Sequence, residues 1–331
     1  MTRRDKILYF LQLHRTGLSI CLLAALLLVF PVWAGNPYLL GISNLIAVYL
    51  IAVIGLNLFI GYAGQISLGH AAYLGLGAYG SALLTVNFEL NPWLAMVVVA
   101  FGVALASFLV AIPTLRLKGH YLAMATLGFN IVCYTVMMQW DQVTGGPSGL
   151  AGIPSLAVAG IPVDDEIRFH YLVWTIAVIV LTLGLNLVRS SLGLALAAVA
   201  QNESAAESLG IQVSRAKIRV FVLSAVLASL AGSLFAHCFT FINPDSFTIF
   251  NSIEMVTMVV IGGLGSIWGS LFGTALIVLL PEFLHFFDTF RDIIHGLIVV
   301  TVLILLPQGL VSGLRDLVRV RSLMKRKHAP N

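Results

Sequence analysis

The sequence predicts an all-α, polytopic helical membrane protein. Three observations carry that prediction. Of 331 residues, 59% are apolar and only 10% are charged, with a mean hydropathy of +0.99. A soluble globular chain carries about 25% charged residues, so this one lacks the charge to cover a water-facing surface. Apolar runs long enough to cross a bilayer recur along the chain. Basic residues gather in alternate connecting segments, as they do where charge sets topology. This composition excludes a soluble enzyme and a disordered protein, and leaves no role for nucleic acid as a partner. The net charge of +4 is read as topological.

A helical span needs roughly 20 mostly apolar residues. Residues 18–33 form the first. The basic segment before it is long for a signal peptide and the chain re-enters the membrane at once, so an uncleaved span is expected. Residues 39–60, 71–86, 93–113, 121–138, 171–188 and 218–241 follow. The run 253–280 is too long for one straight span, and Gly262-Gly263-Leu264-Gly265-Ser266 interrupts it. It predicts two segments around a Gly-rich cytoplasmic turn. The first is too short to span unless it begins near Phe247. Residues 293–306 close the set. The expectation is one domain over residues 1–331, built from about ten transmembrane or half-spanning segments. It carries a cytoplasmic loop near 189–217 and an external loop near 139–169.

Charge orients these spans. One set of connections holds Arg3, Arg4, Lys6 and Arg15, then Arg116 and Lys118, then Arg189, Arg215, Lys217 and Arg219, then the basic tail from Arg315. The other set is acidic, with Glu89, Asp141, Asp164 and Asp165 among its residues, and only Arg168 and Arg291 as cations. The basic side is cytoplasmic by the positive-inside rule. Both termini are then cytoplasmic and the number of crossings is even. Cys21, Cys133 and Cys238 are odd in number and lie in apolar stretches, so they read as small fillers and not as a disulfide framework. No residue set reads as catalytic or as a metal site.

Glycine interrupts the spans in two places. Gly265, Gly269 and Gly273 recur every four residues, a ridge that lets two membrane helices approach closely. Earlier, Gly61, Gly64 and Gly69 surround Gln65, Ser67 and His70 between two apolar runs. Polar, non-helical backbone at membrane depth is tolerated only inside protein or beside an aqueous cavity, and transporters present such broken helices to solute. Gly61, Gly64, Gln65, Ser67, Gly69, His70, Gly262, Gly263 and Gly265 are therefore candidates for a translocation path. The competing reading of the first break is a cytoplasmic turn, with His70 a packing residue. Asn57, Asn130 and Asn186 read as inter-helix hydrogen-bonding residues. The scarcity of acids and histidines inside spans argues against a proton-driven carrier.

The cytoplasmic loop contains Asn202-Glu203-Ser204-Ala205-Ala206-Glu207-Ser208-Leu209-Gly210-Ile211. Asn202 suits an N-cap, Glu203 the positive end of a helix, and Gly210 a left-handed closure against which Ile211 packs. Ala205, Ala206 and Leu209 would form a small apolar face for docking another protein. The alternative is a helix lying on lipid.

The run from Ser191-Leu192-Gly193 through Ala206-Glu207-Ser208-Leu209-Gly210 resembles the EAA-type loop of ATP-binding-cassette (ABC) importer permeases. More narrowly, it is similar to the LivM-type branched-chain amino acid permeases. Gly55-Leu56-Asn57-Leu58 through Ala78-Tyr79-Gly80, Thr144-Gly145-Gly146-Pro147-Ser148-Gly149-Leu150 and Val260-Ile261-Gly262-Gly263-Leu264-Gly265-Ser266 agree in order. The likeness spans roughly residues 40–312. One departure is that Leu194, Ala197 and Ala200 stand where the family usually carries arginines, which leaves basic support to Arg189, Arg215, Lys217 and Arg219.

The resemblance implies a permease subunit of the bacterial cytoplasmic (inner) membrane. It implies a second, LivH-like permease, two cytoplasmic ATPase subunits and a periplasmic solute-binding protein as partners, beside membrane lipid. Asn202, Glu203, Ala205, Ala206, Glu207, Leu209 and Gly210 would couple to the ATPase. Gly145, Gly146, Gly149 and Leu150 would lie near the docked binding protein. The five lysines follow Asp5, Leu117, Ala216, Met324 and Arg326, so none follows the glycine that a Walker A loop requires. ATP and Mg would sit on partner subunits, with no cofactor and no enzymatic activity here. Two other readings remain at this stage: a urea or short-chain amide permease of the same architecture, and an ATPase-independent channel or carrier.

Overall fold

The computed structural model describes residues 15–158, 160–283, 296–297 and 300–301. The predicted span 293–306 lies outside them but for four residues, and both termini lie outside entirely.

The chain rises as α1 (Arg15–Ala34) and returns as α2 (Pro37–Asn57). Asn36 begins α2 because its side chain accepts the Tyr38 N–H at 3.0 Å and Pro37 fills the first turn without a wasted donor. Asn91 and Pro92 repeat the device at α4 (Pro92–Thr114), where Asn91 accepts from Trp93 N–H at 3.0 Å. Between them, a π-helical turn (Leu58–Tyr62) ends α2 and α3 (His70–Asn87) crosses back. Then come α5 (His120–Gln139), the single turn α6 (Asp141–Thr144) and a 3-10 turn (Gly146–Ser148). The long α7 (Glu166–Arg189) leads to two shorter helices, α8 (Ser191–Gln201) and α9 (Glu203–Ser208). α10 (Val213–Phe239), α11 (Ile249–Gly262) and α12 (Ile267–Phe283) complete the described chain.

Burial separates centre from rim. In the most apolar window of α2, 72% of residues are buried, against 28% for α4 and α5 and 33% for α7. α2, α3 and α10 form the core, and α1, α4, α5 and α7 turn side chains such as Leu22, Phe101, Val132 and Leu183 outward. The closest crossing is α3 on α10: a Cβ on Gly77 would meet the Ser229 carbonyl, and one on Gly232 the Leu74 carbonyl. Such small-residue contacts supply the van der Waals packing that holds membrane helices together. Polar bonds fasten the rim to the core. His170 Nε2 lies 3.3 Å from the Leu27 carbonyl of α1, and Trp174 Nε1 donates to Ser43 Oγ of α2 at 3.0 Å.

The interrupted run behaves as its length requires. α11 has 14 residues, about 21 Å at 1.5 Å each. It starts at Ile249, earlier than its most apolar part, after a 3-10 turn at Pro244–Phe247. The ridge read as Gly265–Gly269–Gly273 needs correction. Gly265, at φ +72°, sits in the turn before α12 and is off its helical face. Gly269 and Gly273 do pack, against the backbone of Gly262 and Met258 in α11. At the far end of α12, Tyr38 donates to Glu282, which puts this end beside the start of α2.

The segment between α5 and α7 is ordered mainly without helix. Strand β1 (Leu150–Ala151) pairs antiparallel with β4 (Phe241–Ile242) after α10, and β2 (Ala157–Val158) with β3 (Ile161–Pro162). His237 ties this loop to the core: its Nδ1 lies 2.7 Å from the Pro154 carbonyl and its Nε2 2.7 Å from Ser81 Oγ.

Candidate functional site

Helix α9 forms as its sequence predicts. Asn202 Oδ1 accepts the Ala205 N–H at 3.0 Å. Gly210, at φ +82°, reverses the chain, and the Ile211 N–H closes back on the Ala206 carbonyl at 3.1 Å. The proposed apolar face divides, however. Ala206 is 1% exposed and packs inward on Val199 and Val213 of its own chain. Ala205 and Glu207 are exposed, and Leu209 is 79% exposed. Ala206 is thus a floor residue of α9, whereas Leu209 lies just past the last helical residue, Ser208, and projects outward.

Behind α9 lies an ionic cluster that the sequence did not disclose. Lys217 on α10 is 3% exposed and donates to Glu203 Oε1 at 2.5 Å. Gln65 Nε2 lies 3.5 Å from the same oxygen, and Lys118, from the α4–α5 connection, lies 3.8 Å from Glu203 Oε2. Burial alone would raise the Glu203 carboxyl pKa. The hydrogen bond and charge of Lys217, then Lys118, then Gln65 outweigh it and hold the carboxyl below its usual range. Four segments distant in sequence meet at this one carboxylate.

Gln65 belongs to the first glycine break, and that break touches the second. A Cβ on Gly61 would strike Asn57 Oδ1 and the Gly265 N–H, and one on Gly64, at φ +67°, would approach Ala200 of α8 at 3.3 Å. Asn57 joins the two breaks. It donates to the Ser266 carbonyl at 2.9 Å and Ser270 Oγ at 2.8 Å, and accepts the Gly265 N–H at 3.0 Å. Gly262 closes on the Gly269 carbonyl, while Gly263 turns the chain at φ +117°. Gly262 is therefore buried against backbone, while Gly61 is half-buried and Gly64 remains exposed beside its Ala200 contact. Gly265 also borders a groove of about 1400 Å³ between α1, α7 and α12, walled by residues such as Leu22, Leu185 and Trp268.

The segment entering α3 is equally enclosed. Gly69 abuts the Thr126 carbonyl, Ser67 Oγ accepts the Gly69 N–H at 3.4 Å, and His70 Nε2 is 2.5 Å from Ser224 Oγ. His70 is 1% exposed and lies at the contact of α3 with α10. Of the other asparagines, Asn186 is exposed on α7. Asn130 corrects its expectation: it is fully buried, and neither side-chain atom has a hydrogen-bond partner. The hydroxyls of Tyr73 and Tyr79 on α3, which packs against α5, are in the same condition.

In the segment between α5 and α7, Gly145, Gly146 and Gly149 all have positive φ and shape the loop. A Cβ on Gly149 would meet the Ile242 carbonyl, and Leu150 pairs with Ile242. Exposed apolar side chains there include Val158 and Ile161 of the β2–β3 hairpin, which the sequence did not mark.

Comparison with known proteins matches this arrangement. A family model described as branched-chain amino acid transport system / permease component covers residues 38–306. The high-affinity branched-chain amino acid transport system permease protein LivM of Salmonella typhimurium is 31% identical over 91% of this chain and 76% of its own length. Its Escherichia coli counterpart is similar to the same extent. The Escherichia coli permease protein LivH is 25% identical over 80% of this chain and 91% of its own length. No solved structure matches. With the family model covering most of its length, the chain belongs to the branched-chain amino acid transport permease family.

Proposed function

We propose that this chain is the LivM-type permease subunit of an ABC importer for branched-chain, hydrophobic amino acids. Its similarity to LivM and LivH supports that substrate class and a pairing with a second, LivH-like permease. A periplasmic solute-binding protein delivers the amino acid to the inner membrane. Two cytoplasmic ATPase subunits hold ATP and Mg, and this chain binds no cofactor and hydrolyses nothing.

The observation that carries the reading is α9. It is capped at both ends, fixed at its back through Ala206, and presents Leu209 outward. A push on this helix passes through Glu203 to Lys217 on α10 and to Gln65 beside the paired glycine breaks. Separation of the breaks at the Gly61–Gly265 contact would then open the path at its cytoplasmic end. The test is co-purification of the ATPase subunits with tagged chain. Leu209→Asp, which puts a charge in the contact, should abolish co-purification while the permease remains folded. Retention of the ATPase by that variant refutes the assignment of α9.

A further inference from the structure

The face of α10 that leaves the membrane carries a second feature, beside α9. Arg215, Arg219, Leu223 and Leu227 recur every four residues and form one ridge along the helix. Beside the two arginines lies a pocket of about 280 Å³, bordered by Ser191, Leu192 and Gln212. Beside the two leucines lies a second pocket of about 490 Å³ against α7, lined by Gly184 and Leu187 and floored by Leu58. Leu192 borders both, so the pockets adjoin.

The chemistry changes sharply along this line. In the inner slot the bordering polar residues are Asn186 and Ser190, and Ser190 Oγ already donates to the Leu187 carbonyl at 2.6 Å. In the outer pocket Arg215 and Arg219 are exposed, and among the described residues neither forms an ion pair. Acid neutralisation elsewhere in the loop is local: Glu203 is engaged by Lys217 and Lys118. At 1.5 Å per residue, Leu227 stands about 12 Å deeper than Arg219. Two guanidiniums at the cytoplasmic edge above an apolar slot match a single ligand with an anionic head and a hydrocarbon tail. Guanidinium groups favour phosphate because their planar N–H fork fits its oxygens.

We infer that the α7–α10 groove binds an anionic phospholipid of the cytoplasmic leaflet. Its phosphate is held by Arg215 and Arg219, and one acyl chain lies along Leu223 and Leu227. The inference stands apart from the identity of the transported solute.

Full-length chain, purified with the subunits that accompany it, would be titrated with phosphatidylglycerol or phosphatidylcholine and read by native mass spectrometry. The parent should retain phosphatidylglycerol preferentially. Arg215→Gln with Arg219→Gln should weaken phosphatidylglycerol retention about thirtyfold, from two basic residues acting near an anionic group. Phosphatidylcholine, whose choline cation offsets its phosphate charge, should lose much less. Leu227→Trp fills the slot and should weaken both lipids. Equal retention of the two lipids by the parent overturns the inference, as does undiminished phosphatidylglycerol retention by the double arginine variant. Loss of a co-purifying subunit with lipid retention intact would assign the arginines to a protein interface instead, and would also overturn it.

Discussion

The Glu203–Lys217 pair predicts an asymmetry between its two members. Glu203→Gln leaves an ammonium group that is 3% exposed without the counter-charge of its 2.5 Å partner. Removing one side of a buried pair costs about 3–5 kcal/mol. Glu203 is itself 28% exposed, so water already reaches one side of the pair and the loss should fall near about 3 kcal/mol. Lys217→Met removes the charge from the dry side and keeps the stem's volume. What remains is a partly hydrated carboxylate 3.8 Å from Lys118, which is 77% exposed. Such a wet pair contributes about 0–1 kcal/mol, so Lys217→Met should cost little more than about 1 kcal/mol. Combining the two changes removes the stranded ammonium and should recover stability relative to Glu203→Gln alone, the signature of direct coupling. The assay is thermal unfolding of the purified chain in one detergent. The predicted order of midpoints is Glu203→Gln lowest, the double variant higher, Lys217→Met near the parent. A double variant no more stable than Glu203→Gln would refute the reasoning.

Further outcomes follow from neighbouring features. Because the folded Glu203 pKa is depressed, its stabilisation is present above the unfolded value and is lost as pH falls through the folded one. The gap in unfolding temperature between parent and Glu203→Gln should therefore narrow on acidification. A gap that widens contradicts the depressed pKa. Gly269→Leu forces a side chain against the Gly262 carbonyl and should destabilise the α11–α12 hairpin by about 1–3 kcal/mol or more. Normal folding and uptake would show the contact to be dispensable. Asn130→Leu replaces a buried amide that has no protein partner, so the unfolding temperature should hold or rise. A loss of stability would reveal a structural bond. Single cysteines at Lys118 and Glu89 should react with impermeant thiol reagent from opposite sides of the membrane. Labelling from the same side contradicts the positive-inside orientation.

Much of this was legible in the sequence, because its strongest signals are local. Asn202 and Gly210 specify the two ends of α9, and structure follows them residue by residue. The break at Gly262–Ser266 divided one apolar run into two helices for the same reason: glycine in sequence becomes positive φ at Gly263 and Gly265. The Asn-Pro pairs at 36–37 and 91–92 carried an unused signal that fixes where α2 and α4 begin. What escaped was long-range. Glycines 61 and 265 are 204 positions apart, and no periodicity reports that they touch. Lys217 and Lys118 looked like topological charges, since burial against Glu203 depends on how α10 and the α4–α5 connection pack. Ala206 was misplaced because a six-residue helix gives too few positions to define which side is covered.

The central claim is that α9 transmits ATP-driven motion to a membrane path. The most direct measurement reconstitutes the chain with its partner permease, ATPase subunits and binding protein in proteoliposomes, and follows ATP hydrolysis and leucine uptake together. Leu209→Asp changes a residue that is 79% exposed, so the fold should survive while stimulated hydrolysis and uptake both collapse. Gly210→Val, which forces a β-branched residue toward φ +82°, should impair uptake in the same assay. Coupled uptake at the parental rate in both variants would contradict the account.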